Sequence, residues 1–135
     1  MKKLFDLTYP QKSILLTEQF FKNMPVNNIC GTAIINEEIN FDNLKKAINF
    51  VIKNNDNFRI HLFQDKREVK QYLSEVINYN AEIIEIENKT EIENIENSLK
   101  KKVFSLFDSD LFEIKIFKLK DRSGGFLLIF YYFFK

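Results

Sequence analysis

A single cysteine, Cys30, rules out an internal disulfide and fits a reducing, cytoplasmic setting. With no CxxC partner and only one histidine, His61, the chain offers no spacing that reads as a metal site. Three glycines leave no phosphate-cradling loop and no dinucleotide fingerprint. Two prolines and the scarcity of glycine leave little room for linkers, so residues 1–135 read as one domain. A net charge of +1 gives no electrostatic case for nucleic acid or an anionic membrane. The amino-terminal MKKLFDLTYPQK has no apolar h-region, so no signal peptide is read. The longest apolar run, Phe126 to Phe134, is too short for the roughly 20 residues of a membrane-spanning helix.

What is present describes a soluble globular chain, 45% hydrophobic and 29% charged. The Phe126–Phe134 run is aromatic and aliphatic on both faces, which predicts a central strand. Thr8 and Gln11 have capping-box spacing for a helix to about Phe21, with Ile14, Leu15 and Phe21 on one side. Ile29–Ile35 reads as a strand whose Gly31 permits a close backbone approach. Behind an Asn40 cap, Phe41, Leu44, Ala47, Ile48 and Val51 repeat at helical period. Phe58, Ile60 and Leu62 alternate with Arg59 and His61, and Glu68–Leu73 returns as the other half of a hairpin. Ala81–Glu87 is a strand whose Glu85 and Glu87 suit a sheet edge. Thr90 and Glu93 form a second capping box ahead of Ile92, Ile95, Leu99 and Val103. Phe112–Ile116 pairs with the terminal run through a turn at Asp121–Gly125. The sum is an α+β fold: a mixed sheet of about six strands with three helices.

Catalytic hardware is sparse. His61 has the parity of a polar-face residue, and no serine or cysteine nucleophile can be placed beside it. Cys30 reads as a small buried hydrophobe. Asp108 and Asp110 read as turn formers, and Lys100–Lys102 as a solvated helix end.

Several stretches, in order, resemble the front half of a nonribosomal peptide synthetase condensation domain, of the chloramphenicol-acetyltransferase-like acyltransferase superfamily. LTYPQKSILL, Leu7 to Leu16, resembles the first core motif through Thr8 and Gln11, with Ile14 and Leu15 where an aromatic is common. NNICGT, Asn27 to Thr32, resembles the loop and first strand. Phe41, Asp42, Leu44, Ala47 and Ile48 resemble the start of the following helix. IKNNDNFRIHL, Ile52 to Leu62, is similar to the second core motif: Asp56, Phe58 and Arg59 match, while Asn55 replaces a histidine and Ile60 a threonine. FDSDLFEIKI, Phe107 to Ile116, is similar to the segment before the hairpin.

The resemblance implies the N-terminal half of a two-lobed acyltransferase that forms amide bonds between carrier-bound acyl groups. It implies a phosphopantetheinylated carrier protein as partner and no cofactor bound directly. In that family the terminal strand runs into His-His-x-x-x-Asp-Gly. Here Tyr131, Tyr132, Phe133 and Phe134 stand near that register, so a partial domain with no catalytic residue, inactive alone, is expected. The alternative is a non-catalytic module that binds a carrier protein or synthetase partner. Arg59 resembles the arginine that supports the catalytic loop, and without that loop it is expected to have no native partner. An unpaired terminal strand would also expose backbone groups, so self-association through it is expected.

Overall fold

Thr8 ends an extended segment and opens the first helix, α1 (Tyr9–Phe20), through a complete capping box with Gln11. The computed structural model describes residues 2–75 and 78–133. Asn40 caps α2 (Phe41–Lys53) by accepting from the Asn43 N–H at 3.1 Å, and Asp42 and Lys53 complement the helix dipole. The third helix, α3 (Thr90–Lys100), differs from the sequence expectation. Thr90 does not cap it; the Glu91 carboxylate instead accepts from the backbone N–H groups of Glu87 and Asn88, the latter at 3.1 Å. Asn88 Oδ1 accepts from the Thr90 N–H at 3.0 Å, so Asn88 and Glu91 together do the work expected of the Thr90–Glu93 box.

The strands divide between two sheets where the sequence suggested one. The smaller joins β1 (Phe5–Asp6), β4 (Glu68–Leu73) and β3 (Ile60–Asp65) in that order, all antiparallel. The larger runs β2 (Asn28–Ile35), β7 (Gly124–Tyr131), β6 (Phe112–Lys118) and β5 (Glu82–Glu85). It is mixed, because β5 pairs parallel to β6 while the other pairs are antiparallel. Phe58 and Arg59 fall in a 3-10 turn at Asp56–Arg59 ahead of β3 rather than in the strand.

β7 is a central strand, as its two-sided apolar pattern required. Leu127, Ile129 and Tyr131 enter one core with Leu62 of β3, Leu7, and Ile92 and Leu99 of α3. Phe126, Leu128 and Phe130 point into the other, with Ile48 and Ile52 of α2 and Phe112, Ile114 and Ile116 of β6. The larger sheet is therefore sandwiched: α2 packs on one face, α3 and the smaller sheet on the other. Because β7 has β2 on one side and β6 on the other, the expectation of an exposed terminal strand is corrected. Its ladder groups are already paired, so it offers no edge for self-association. Phe134, last in the apolar run, lies outside the described residues.

The glycines also exchange roles. An added Cβ at Gly31 would meet nothing within 4 Å, so no backbone approaches there. The close approach is at the start of β7. A Cβ on Gly124 would overlap the Phe117 carbonyl oxygen, and one on Gly125 would overlap that of Ala33.

Candidate functional site

The end of β7 is held by side chains from α1 and the loop that follows it. Gln11 is 1% exposed, and every polar atom of its amide is engaged. Its Oε1 accepts from the Thr8 N–H at 2.8 Å and from Gln71 Nε2 at 3.0 Å. Its Nε2 donates to Gln71 Oε1 at 2.9 Å and to the Phe133 carbonyl at 3.2 Å. One side chain thereby ties α1, β4 and the residues leaving β7. Asn27 adds a second tie, since its carbonyl accepts from the Tyr132 N–H at 2.7 Å. A third is Tyr131, whose hydroxyl donates to Glu18 at 2.9 Å and accepts from Asn27 Nδ2 at 3.3 Å.

Burial first, and then the Glu18 carboxylate, hold the Tyr131 phenol well above its ordinary value. The sign follows from which state loses its proton first. Above about pH 10 the unfolded chain ionises this tyrosine while the folded chain does not, so stability is full below that pH and lost as pH rises. Tyr131→Phe is expected to flatten the alkaline loss at a neutral-pH cost of about 1–2 kcal/mol. Urea unfolding at pH 7 and pH 11 measures both. Tyr72 and Tyr79, also raised by burial, keep part of the slope in the variant.

Arg59 lies at a second constellation. Its guanidinium pairs with the Asp56 carboxylate, and Nη1 donates to the Ser74 carbonyl at 3.1 Å. The expectation that Arg59 has no native partner is therefore corrected: the 3-10 turn places Asp56 three residues before it, and β4 ends beside it. Its Nε is buried with no hydrogen-bond partner among the described residues. That leaves one donor of a paired cation unsatisfied, a costly state for a buried polar atom.

His61, next but one along the chain, joins a chain of polar contacts. Its Nε2 lies 2.9 Å from Asp110 Oδ1 and its Nδ1 3.4 Å from the Tyr72 hydroxyl. Tyr72 donates to Asp108 at 2.6 Å, and Lys2 Nζ reaches the same carboxylate at 3.3 Å. Those hydrogen bonds, the Tyr72 one foremost, hold the Asp108 carboxyl below the usual carboxylate range. The Asp108 N–H donates to the Leu62 carbonyl at 2.8 Å, and the Leu111 carbonyl accepts from Tyr131 at 2.8 Å. Residues 107–111 therefore stitch the two sheets together. His61 and the two aspartates all lie at this seam. Asp108 does form a turn, at a φ of 51°.

The remaining candidates stay apart. Cys30 lies on β2, in the other sheet, and burial pushes its thiol up, away from nucleophile chemistry. In the lysine run, Lys100 pairs with Glu96 at 2.9 Å and Lys102 with Glu113, so that helix end is partly anchored. Among the described residues no group of three or more His, Cys, Asp or Glu could hold a metal ion. No helix among them is long and apolar enough to cross a membrane. Sequence reasoning found Gln11 as a cap and missed it as a tie to Phe133. It also missed Glu18, Asn27 and Gln71, whose partners lie far along the chain.

The family model described as the condensation domain matches residues 1–131. Surfactin synthase subunit 1 of Bacillus subtilis (strain 168) is 30% identical over 132 residues, covering 90% of this chain and 4% of that protein. Among solved structures, a variant of the starter condensation domain of rhizomide synthetase RzmA in complex with C8-CoA superposes with a TM-score of 0.86 at 16% identity. The match covers 96% of this chain and 31% of that one. The first condensation domain of the calcium-dependent antibiotic synthetase, in complex with a substrate analogue, gives 0.83 at 11% identity, over 96% and 34%. This chain thus spans about a third of the solved domains it matches. A family match across nearly the whole chain places it plainly: this chain belongs to the condensation domain family.

Proposed function

We propose that residues 1–135 supply the N-terminal scaffold of a condensation domain without its general base. Its family reaction would be amide-bond formation between acyl groups on phosphopantetheinylated carrier proteins, in the cytoplasm. The observation that carries this reading is the exit of β7. It is built and clamped by Gln11, Glu18 and Asn27, yet bears Tyr131, Tyr132 and Phe133 near the register where, by resemblance, the family places histidines. Tyrosine is a poor base at neutral pH, and burial makes Tyr131 poorer still. His61 is occupied at the seam between the sheets. Arg59 fits a supporting role here: its buried, unpartnered Nε is a place for a carboxylate or carbonyl brought by a loop packed beside it.

The test is an assay of the isolated chain with carrier-loaded donor and acceptor, read by mass spectrometry of the product. No amide above the enzyme-free rate is expected, and catalysed amide formation defeats the proposal. Nuclear magnetic resonance titration with a phosphopantetheinylated carrier protein examines the partner. Shifts on the chain are expected, and their absence at saturating concentration removes the carrier from this reading.

A further inference from the structure

The four exposed ends of the two sheets are unequally protected. β1 is only two residues long. β3 is bridged by Phe107 at Leu62. β5 is four residues long, begins and ends with Glu82 and Glu85, and is followed by Glu87. The fourth edge, β2, has none of these devices. It is eight residues, reads NICGTAII, and carries no charge and no proline. No strand pairs with its outer side among the described residues. Ile29 and Ile34, on opposite faces, are 43% and 49% exposed. Soluble proteins rarely leave a long, apolar edge strand open.

We propose that β2 pairs antiparallel with β2 of a second copy, joining two four-stranded sheets into one of eight strands. The sequence of the edge is self-complementary. A two-fold axis at Thr32 sets Ile29 opposite Ile35, Cys30 opposite Ile34 and Gly31 opposite Ala33, with like faces together. The two Thr32 side chains meet on the axis, each hydroxyl donating to Glu96 of its own α3 at 3.2 Å, and each Glu96 carboxylate is countered by Lys100 at 2.9 Å. An axis at Gly31 would instead set Asn28 against Ile34. Just beyond the strand, Glu37 and Glu38 fall opposite Asn27 and Val26 of the other copy, so neither meets its own counterpart. The net charge of +1 leaves no long-range repulsion between copies. The edge lies beside Phe126 and Leu128, half-buried on β7, so the apolar face continues across the junction.

The experiment is light scattering and sedimentation of the full chain from roughly 10 μM to 1 mM, a range suited to a small interface. A dimer that grows with concentration is expected. Ile34→Lys places a charge on the edge and is expected to weaken association at least tenfold. Phe50→Lys, at an apolar residue of α2 that is 69% exposed, should leave it unchanged. Hydrogen exchange of the unmutated chain gives a readout free of variants: amides of residues 28–35 should gain protection as concentration rises. A monomer at about 1 mM, open-ended aggregation, indifference to Ile34→Lys or equal sensitivity to Phe50→Lys each overturns the proposal. So does protection of these amides only on adding the carrier protein, which would assign the edge to that partner.

Discussion

Gly125→Ala is expected to destabilise the chain by about 3 kcal/mol or more, and in practice to abolish cooperative folding. The new methyl would overlap the Ala33 carbonyl oxygen and sit 2.8 Å from Cζ of Phe117. Neither neighbour can yield cheaply. The Ala33 carbonyl belongs to the backbone of β2, in register with Phe126 one residue away, and Phe117 is fully buried in the core shared with Leu127 and Ile129. Relief would require β7 to part from β2, or Phe117 to leave its place. Gly124→Ala meets the same obstacle from the other side, at the Phe117 carbonyl of β6. Gly31→Ala is the control, because its Cβ enters open space. It should change stability by no more than about 1 kcal/mol, with a small gain favoured, since glycine weakens a strand. Guanidinium unfolding of the three variants measures the contrast. Equal, small effects at all three positions would mean that β7 does not run this close to its neighbours.

That contrast also marks where the sequence was legible. Periodicity located nearly every element, because side-chain burial alternates with the backbone period. The two-sided apolar run became β7, central as expected, and Glu85 lies on an edge strand as expected, while Glu87 falls just beyond its end. Gly31 was misjudged because a glycine inside a strand carries no mark of which neighbour approaches it. The approach depends on how β2, β6 and β7 twist together, and no local pattern encodes that. The division into two sheets was hidden for a similar reason: the seam rests on Asp108, Asp110, Tyr72 and His61, whose spacing spans 49 residues between His61 and Asp110. The same distance in sequence concealed the partners of Arg59 less than those of Gln11. Asp56 is three residues from Arg59 and was missed only because the turn was read as strand, while Gln71 and Phe133 are 60 and 122 residues from Gln11.

Those remote partners make Gln11→Ala the second large effect, and its size separates two roles. If Gln11 only completed the capping box, losing it would cost about 1 kcal/mol, as for a typical cap. As the tie between α1, β4 and the chain leaving β7, it leaves more behind. The Gln71 amide, half-buried and still donating to the Asp6 carbonyl, loses its reciprocal partner, and the buried Phe133 carbonyl loses its donor. A stranded buried carbonyl on top of the lost cap brings the expected cost to roughly 2–4 kcal/mol. Thr8→Ala removes the hydroxyl that accepts from the Gln11 N–H and spares the amide network, so it should stay near 1 kcal/mol. Gln11→Glu sharpens the test. It replaces a donor by an oxygen facing the Phe133 carbonyl, so an ionised Glu at this buried position should be at least as damaging as alanine near pH 7. Burial would raise the folded-state pKa of that carboxyl above its unfolded value. Its protonated form can donate, so the deficit relative to the natural chain should shrink as pH falls toward about 4. Hydrogen exchange at Tyr132 and Phe133 supplies the local readout: their amides should lose protection in Gln11→Ala and keep it in Thr8→Ala. A cost below about 1 kcal/mol for Gln11→Ala, with those two amides still protected, would show that the end of β7 is held in place without this glutamine.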